Sequence, residues 1–191
     1  MATALLSSYK KDESLLRLAR LLEKNRWNLL GSAGTTQFLT ENGIACKDVS
    51  EIVGAPILGH RVVTLSREIY AGLLATTDED YKELERLHII PIDLVYVVLY
   101  PLEETIGSSG TSPEDIIEKT DIGGPTLLRA AAKGRRIVLS APEQIDALEK
   151  WIRDGSSESE KERIITLFAG AAERRVADYV SASASYWERQ A

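Results

Sequence analysis

The sequence predicts an α/β fold: a mostly parallel central sheet with helices on both faces, followed by a C-terminal helical extension. Three observations carry this. Short apolar runs alternate with helical patterns up to about residue 154, the mark of successive βα units. The run Asp93-Leu94-Val95-Tyr96-Val97-Val98-Leu99-Tyr100 is apolar throughout instead of alternating, as a strand covered on both faces must be. Beyond the linker Gly155-Ser156-Ser157 the pattern is wholly helical. Residues 1–154 are therefore expected to form one domain and residues 155–191 an extension packed on it.

The elements follow in order. Ala4-Leu5-Leu6 reads as the first strand, and Leu15, Leu16, Leu18, Ala19, Leu21 and Leu22 as a helical stripe between the capping Asp12 and Asn25. Residues 27–30 form the second strand, which runs into Gly31-Ser32-Ala33-Gly34-Thr35-Thr36 and a short helix closed by Asn42-Gly43. Residues 44–49 are a candidate third strand, and 54–59, punctuated by Gly and Pro, a loop with a short turn of helix. Residues 64–74 are ambiguous, with one helical face of Leu65, Ile69, Leu73 and Leu74, and 78–87 form a charged surface helix. The strand at 93–100 belongs in the middle of the sheet and is stopped by Pro101. Ser112-Pro113-Glu114-Asp115 sets a capping serine, an N1 proline and two acids at a helix start. Asp121-Ile122-Gly123-Gly124-Pro125-Thr126 opens a helix over 127–133 with Gly134 as its C′ residue, a position that favours left-handed backbone. Residues 136–140 are the last strand, Pro142 opens the helix to Trp151, and 158–190 read as one or two helices.

Composition narrows the function. Hydrophobic residues make up 44% and charged residues 27% of the 191, so the chain can bury an ordinary core. The net charge is −6 and the basic residues are scattered, which excludes a duplex-binding surface and requires any anion to be gripped locally. Cys46 has no second cysteine to pair with, and with His60 and His88 it cannot supply a Cys/His zinc site. The lone cysteine fits a reducing, cytoplasmic setting. The N-terminal apolar run is short and precedes lysines, the reverse of a signal peptide, and no stretch approaches the roughly 20 apolar residues that span a bilayer.

Two segments are placed for chemistry. Ser32-Ala33-Gly34-Thr35-Thr36 lies at the carboxyl end of a strand and the start of a helix, where free amides and the helix dipole suit a phosphate; a plain βα turn uses the same small residues. Asp121 stands before a glycine pair and a helix start, where it serves as a cap or as a working carboxylate. Lys133 is near the end of that helix, where the dipole favours a cation, and Tyr100 ends a strand at the ligand-binding edge or simply closes the rim. His60 and His88 have no partner at ligand spacing, and Cys46 reads as a small buried hydrophobe. Trp151 and Trp187 are expected to pack the C-terminal helices and Arg174-Arg175 to form a solvated face, with a place in a subunit interface open to either.

Taken in order, Ala4-Leu5-Leu6-Ser7, Ser32-Ala33-Gly34-Thr35, Asp48-Val49-Ser50-Glu51, Leu58-Gly59-His60-Arg61-Val62, Pro91-Ile92-Asp93-Leu94-Val95, Leu99-Tyr100-Pro101 and the long run from Asp121 through Gly123-Gly124 and Leu127-Leu128-Arg129 to Lys133 resemble the IMP cyclohydrolase domain of the bifunctional AICAR transformylase/IMP cyclohydrolases. The resemblance covers essentially the whole chain, and the transformylase domain that normally follows is missing from it. It implies a methylglyoxal-synthase-like fold and closure of a six-membered ring, in which a carboxamide nitrogen of a purine-precursor ribonucleotide attacks its own formyl group and water leaves. It implies no cofactor and no metal, a homodimer by the family's habit, and a separate transformylase as a further partner.

By the same resemblance Lys11, Ser32, Gly34, Thr35, Arg61 and Thr64 fall on substrate-binding positions, joined by Gly123 and Gly124. Tyr100, Asp121 and Lys133 fall on those around the reacting groups. The departures lie at Val63, where the family has lysine, at Ser66 and Tyr70, where it has histidines, and at Val98, where it has asparagine. Three readings stay open: a plain cyclohydrolase, a specialised paralogue closing a ring on an analogue of the usual substrate, and a non-catalytic nucleotide-binding or subunit protein that keeps the fold and the phosphate site.

Overall fold

The computed structural model describes residues 1–59 and 61–190; His60 lies outside them. Five strands form one all-parallel sheet: β1 (Thr3–Ser8), β2 (Asn28–Gly31), β3 (Lys47–Asp48), β4 (Leu94–Val98) and β5 (Ile137–Leu139), in the order β3-β2-β1-β4-β5. Register is set by pairs such as Leu5 with Leu30 on one side and with Val95 on the other. The chain steps outward from β1 to β2 and β3, then returns to β4 and β5 on the opposite side. With right-handed crossovers this reversal puts helices on both faces. Their inward stripes bury Leu5, Leu6, Leu94 and Val95 completely.

Local chemistry explains the element starts. Helix α1 (Glu13–Lys24) begins where the Asp12 carboxylate accepts from the amides of Ser14 and Leu15. Helices α2 (Ala33–Glu41) and the single turn α3 (Ser50–Val53) flank β3. Ser66 caps α4 (Arg67–Leu74), which settles the ambiguous segment as helix. Thr77 with Asp80 forms a capping box on α5 (Asp78–Arg86). After β4 come α6 (Leu102–Gly107), α7 (Pro113–Lys119), boxed by Ser112 and Asp115, and α8 (Gly123–Lys133). A 3-10 turn at Pro142–Gln144 leads into α9 (Ile145–Arg153), and one helix, α10 (Glu158–Glu188), takes up the remainder. Helix α10 turns Ile164, Ile165, Phe168, Ala172, Val176, Tyr179 and Tyr186 inward and packs along α8 and β5.

Several expectations need correction. The third strand shrinks to two residues, because the Ile44 amide still bonds the Leu39 carbonyl of α2 and the Ile44 side chain drops into the core before pairing begins. The helical turn expected within 54–59 lies earlier, at α3, and 54–59 instead lead to a bridge between Ile57 and Val62. The apolar strand β4 is internal, but β1 is the middle strand. Helix α8 starts four residues before the expected 127, since the Asp121 carboxylate satisfies the Gly124 amide. Gly134 is not left-handed, its φ being −77°, and Arg135 takes that conformation with φ 54°. Glycine is needed there for closeness, because a Cβ would stand 1.9 Å from the Leu73 carbonyl oxygen. Trp151 is buried and donates to the Ser157 carbonyl, whereas Trp187 is half exposed. Arg175 is not merely solvated, since it pairs with Glu103 of α6.

Candidate active site

Strand order reverses between β1 and β4, so the carboxyl ends of β2, β1 and β4 lie side by side at the point where open α/β sheets bind ligands. At the end of β2, α2 begins without a side-chain cap. Of the amides there, that of Ser32 donates to the Leu6 carbonyl and that of Thr35 to the Ser32 carbonyl. Those of Ala33 and Gly34 are left without a partner among the described residues. Lys11 leans over this helix start: its Nζ bonds the Ser8 carbonyl, and a Cβ on Gly34 would lie 3.9 Å from that nitrogen. Partial burial holds the Lys11 ammonium below the usual lysine range. Thr35, by contrast, is fully buried, and its hydroxyl accepts from the Ser8 amide at 3.1 Å and from Ser32 Oγ at 3.1 Å. It ties α2 to β1 and has no hydroxyl to offer outward.

The start of α8 holds a partly buried carboxylate. Both Asp121 oxygens face the Gly124 amide, at 3.2 and 3.1 Å, so the carboxylate serves as a cap at this helix start. Burial raises its carboxyl above the ordinary 3.8, against the amides of Gly124 and Gly123, which lower it. Gly124 makes this approach possible, because a Cβ would come within 2.3 Å of Asp121 Oδ2 and 2.6 Å of Leu99. Thr64 is buried with its hydroxyl against Gly123, where a Cβ would stand 2.9 Å away. From the far end of the chain, Tyr179 of α10 accepts a hydrogen bond from the Asp121 amide at 2.7 Å.

Tyr100, just past β4, faces the same region. Thr105 donates to its hydroxyl at 3.2 Å, Tyr9 packs edge-on with ring centroids 4.6 Å apart, and Lys119 Nζ lies 5.7 Å from its ring centre. These neighbours, the Thr105 hydrogen bond first, pull the phenol below its ordinary value of 10. Tyr100, Asp121, Arg61, Lys119, Tyr9, Ile117, Ile122 and Trp187 line one open cleft of about 750 Å³, within the size range of small-molecule sites. Arg61 is steadied by a bond from Nε to the Leu58 carbonyl. Val63 and Val98 are half-buried against the core and present no charge.

The structure thus brings Tyr100, Asp121 and Arg61 to one cleft, with Lys11, Ser32 and Gly34 at the adjacent helix start. Lys133 is not brought there. It is exposed at the last residue of α8, about 15 Å along the axis from Gly123 at 1.5 Å per residue. The buried Tyr70 hydroxyl has no hydrogen-bond partner among the described residues, and its neighbour Thr126 is committed to the Ile122 carbonyl. His88 is exposed, and Cys46 is half-buried against Thr36. Among the described residues there is no cluster of three or more His, Cys, Asp or Glu suited to a metal ion, and no helix long and apolar enough to cross a membrane. Sequence reasoning missed Lys119, Tyr179, Trp187 and Tyr9. Only the lysine had a local signal, its place in the last turn of a well-capped helix.

Comparison with known proteins bears on the fold and the family. The MGS-like domain family matches residues 14–126. The bifunctional purine biosynthesis protein PurH of Oenococcus oeni is 40% identical over 190 residues, covering 95% of this chain and 37% of that protein. PurH of Aquifex aeolicus is 40% identical over 158 residues, covering 80% of this chain and 31% of its own length. The chain therefore spans about a third of these curated relatives. The crystal structure of ForH superposes with a TM-score of 0.84 at 30% identity, covering 97% of this chain and 98% of that one. On its sequence, its all-parallel sheet and these matches, the chain belongs to the MGS-like domain family.

Proposed function

We propose that this chain closes a six-membered ring on a purine-type ribonucleotide, a carboxamide nitrogen attacking a neighbouring formyl carbon with loss of water. The observation that carries the reading is the presence, in one cleft at the sheet's switch point, of a carboxyl raised by burial and a phenol lowered by its neighbours. Such a pair is suited to one base and one acid. The similarity to proteins named for purine biosynthesis supports the purine-type substrate.

Nucleophile and electrophile sit on one molecule, so fixing its conformation supplies much of the rate. The phosphate rests at the start of α2, on the open amides of Ala33 and Gly34 and the Lys11 ammonium, and Arg61 supports the ribose side. Asp121 takes a proton from the carboxamide nitrogen as that nitrogen's electron pair forms the C–N bond. The formyl oxygen becomes an oxyanion and receives that proton. Tyr100 then protonates the resulting hydroxyl, the C–O bond breaks, and water departs. The phenolate recovers its proton from the ring nitrogen that bore the formyl group, leaving the C=N bond of the product.

An ultraviolet assay with the formamidoimidazole carboxamide ribonucleotide, run beside analogues with an altered five-membered ring, tests the reading. Ring closure of at least one of these is expected. The assay ranks the standard substrate against the analogues directly, the choice that the departures at Val63 and Val98 leave open. Nucleotide binding without turnover of any of them would replace this reading with that of a non-catalytic nucleotide-binding protein.

A further inference from the structure

The cleft holds a cation that the proposed mechanism leaves idle. Lys119 is the last residue of α7, and its Nζ lies 5.7 Å from the centre of the Tyr100 ring. The end of a helix favours a lysine in its last turn, yet that preference does not aim the side chain at a phenol. On the other sides the phenol meets the Thr105 hydroxyl from α6 at 3.2 Å and the edge of Tyr9 from the end of β1. Among the described residues, the charged and titratable groups sharing its cleft are Lys119 and Glu118 of α7, Asp121 before α8, Arg61 before α4, and Tyr9. Arg61 is tied by Nε to the Leu58 carbonyl, and Val63 and Val98 carry no charge. Among the described residues, the positive charge set over the Tyr100 ring is therefore that of Lys119.

We propose that Lys119 is a positioning residue for the ring-closing step, its ammonium holding the Tyr100 phenol as the proton donor to the departing oxygen. This rests on the ring-closing reading above. A cation against a phenol stabilises the phenolate, so the proton passes more readily to the leaving hydroxyl while the overall proton balance is unchanged. The phenol is lowered first by the Thr105 hydrogen bond, and Lys119 acts in the same direction.

The test is an ultraviolet difference titration of phenol ionisation on the full chain. The native protein minus Tyr100→Phe isolates one of seven tyrosines. The Tyr100 midpoint should lie below 10 in the native chain, move upward in Lys119→Met, and stay low in Lys119→Arg. With a substrate that the native chain closes, kcat should fall about ten-fold in Lys119→Met and recover in Lys119→Arg, with KM little changed. A midpoint unmoved by Lys119→Met overturns the proposal, whatever happens to turnover. A midpoint that moves in a chain closing no ring overturns the ring-closing reading instead, and with it any role for Lys119 in that step.

Discussion

Asp121 shows how one residue combines two demands that conflict. As a cap it satisfies the Gly124 amide, and in its proposed role as base it must be ionised in a partly buried place. Because burial raises its carboxyl above 3.8, the folded chain holds this proton more tightly than the unfolded one. The stabilisation linked to it is complete below the unfolded value and is lost as pH rises through the raised folded value. At neutral pH the buried charge is therefore a cost. Asp121→Asn, which keeps an acceptor for the Gly124 amide, should leave the Tm at pH 7 unchanged or raised and should lower it relative to native near pH 3, as thermal scans at the two pH values would show. A Tm at pH 7 several degrees below native would mean that the carboxylate serves mainly to hold the helix. Asp121 and Tyr100 were legible in the sequence because their signals are local, a cap before glycines and the end of an apolar strand. Thr35 was legible as part of a loop but not as a fully buried tie, since that depends on where Ser8 of the neighbouring strand comes to lie.

At the scale of elements, the site is assembled by helices that begin or end at the carboxyl edge of the sheet. Helix α8 presents the carboxylate, α7 and α6 surround the phenol, and the last turns of α10 reach back to both. Elements with strong terminal chemistry were readable from sequence: α1 from Asp12, α7 from Ser112 and Pro113, β4 from its unbroken apolar run. Elements fixed by neighbours were not. β3 is short because α2 still claims the Ile44 amide, and α6 follows Pro101 with no side-chain cap to announce it. The contact from Tyr179 to the Asp121 amide spans 58 positions and leaves no trace in local pattern. On the proposed reaction it gives Tyr179 the part of a positioning residue for Asp121. Tyr179→Phe keeps the buried ring and removes one hydrogen bond, which should cost about 1 kcal/mol in denaturant unfolding. It should also lower kcat for a substrate the native chain closes, with KM nearly unchanged. Loss of stability with kcat untouched would confine Tyr179 to packing.

For the molecule as a whole, the alternation of apolar runs and helical patterns was enough to anticipate a parallel sheet with helices on both faces. What it could not anticipate was which residues the strand order brings together. Lys133 lies twelve positions after Asp121 in sequence, yet the rigid length of α8 carries it away from the cleft. Trp187 is 66 positions from Asp121 and lines the same cleft. The reversal between β1 and β4 is what sets the start of α2, with Lys11, at the same edge of the sheet as the cleft lined by Asp121 and Tyr100, and the proposed reaction needs one ribonucleotide to span the two. The most direct test of that arrangement is a single-turnover measurement of ring closure with excess enzyme, comparing the native chain with Asp121→Asn on the best substrate found. The account predicts a rate constant at least about 10²-fold lower in the variant, with the ribonucleotide Kd within a few-fold of native. An equal rate constant at saturating enzyme would contradict it.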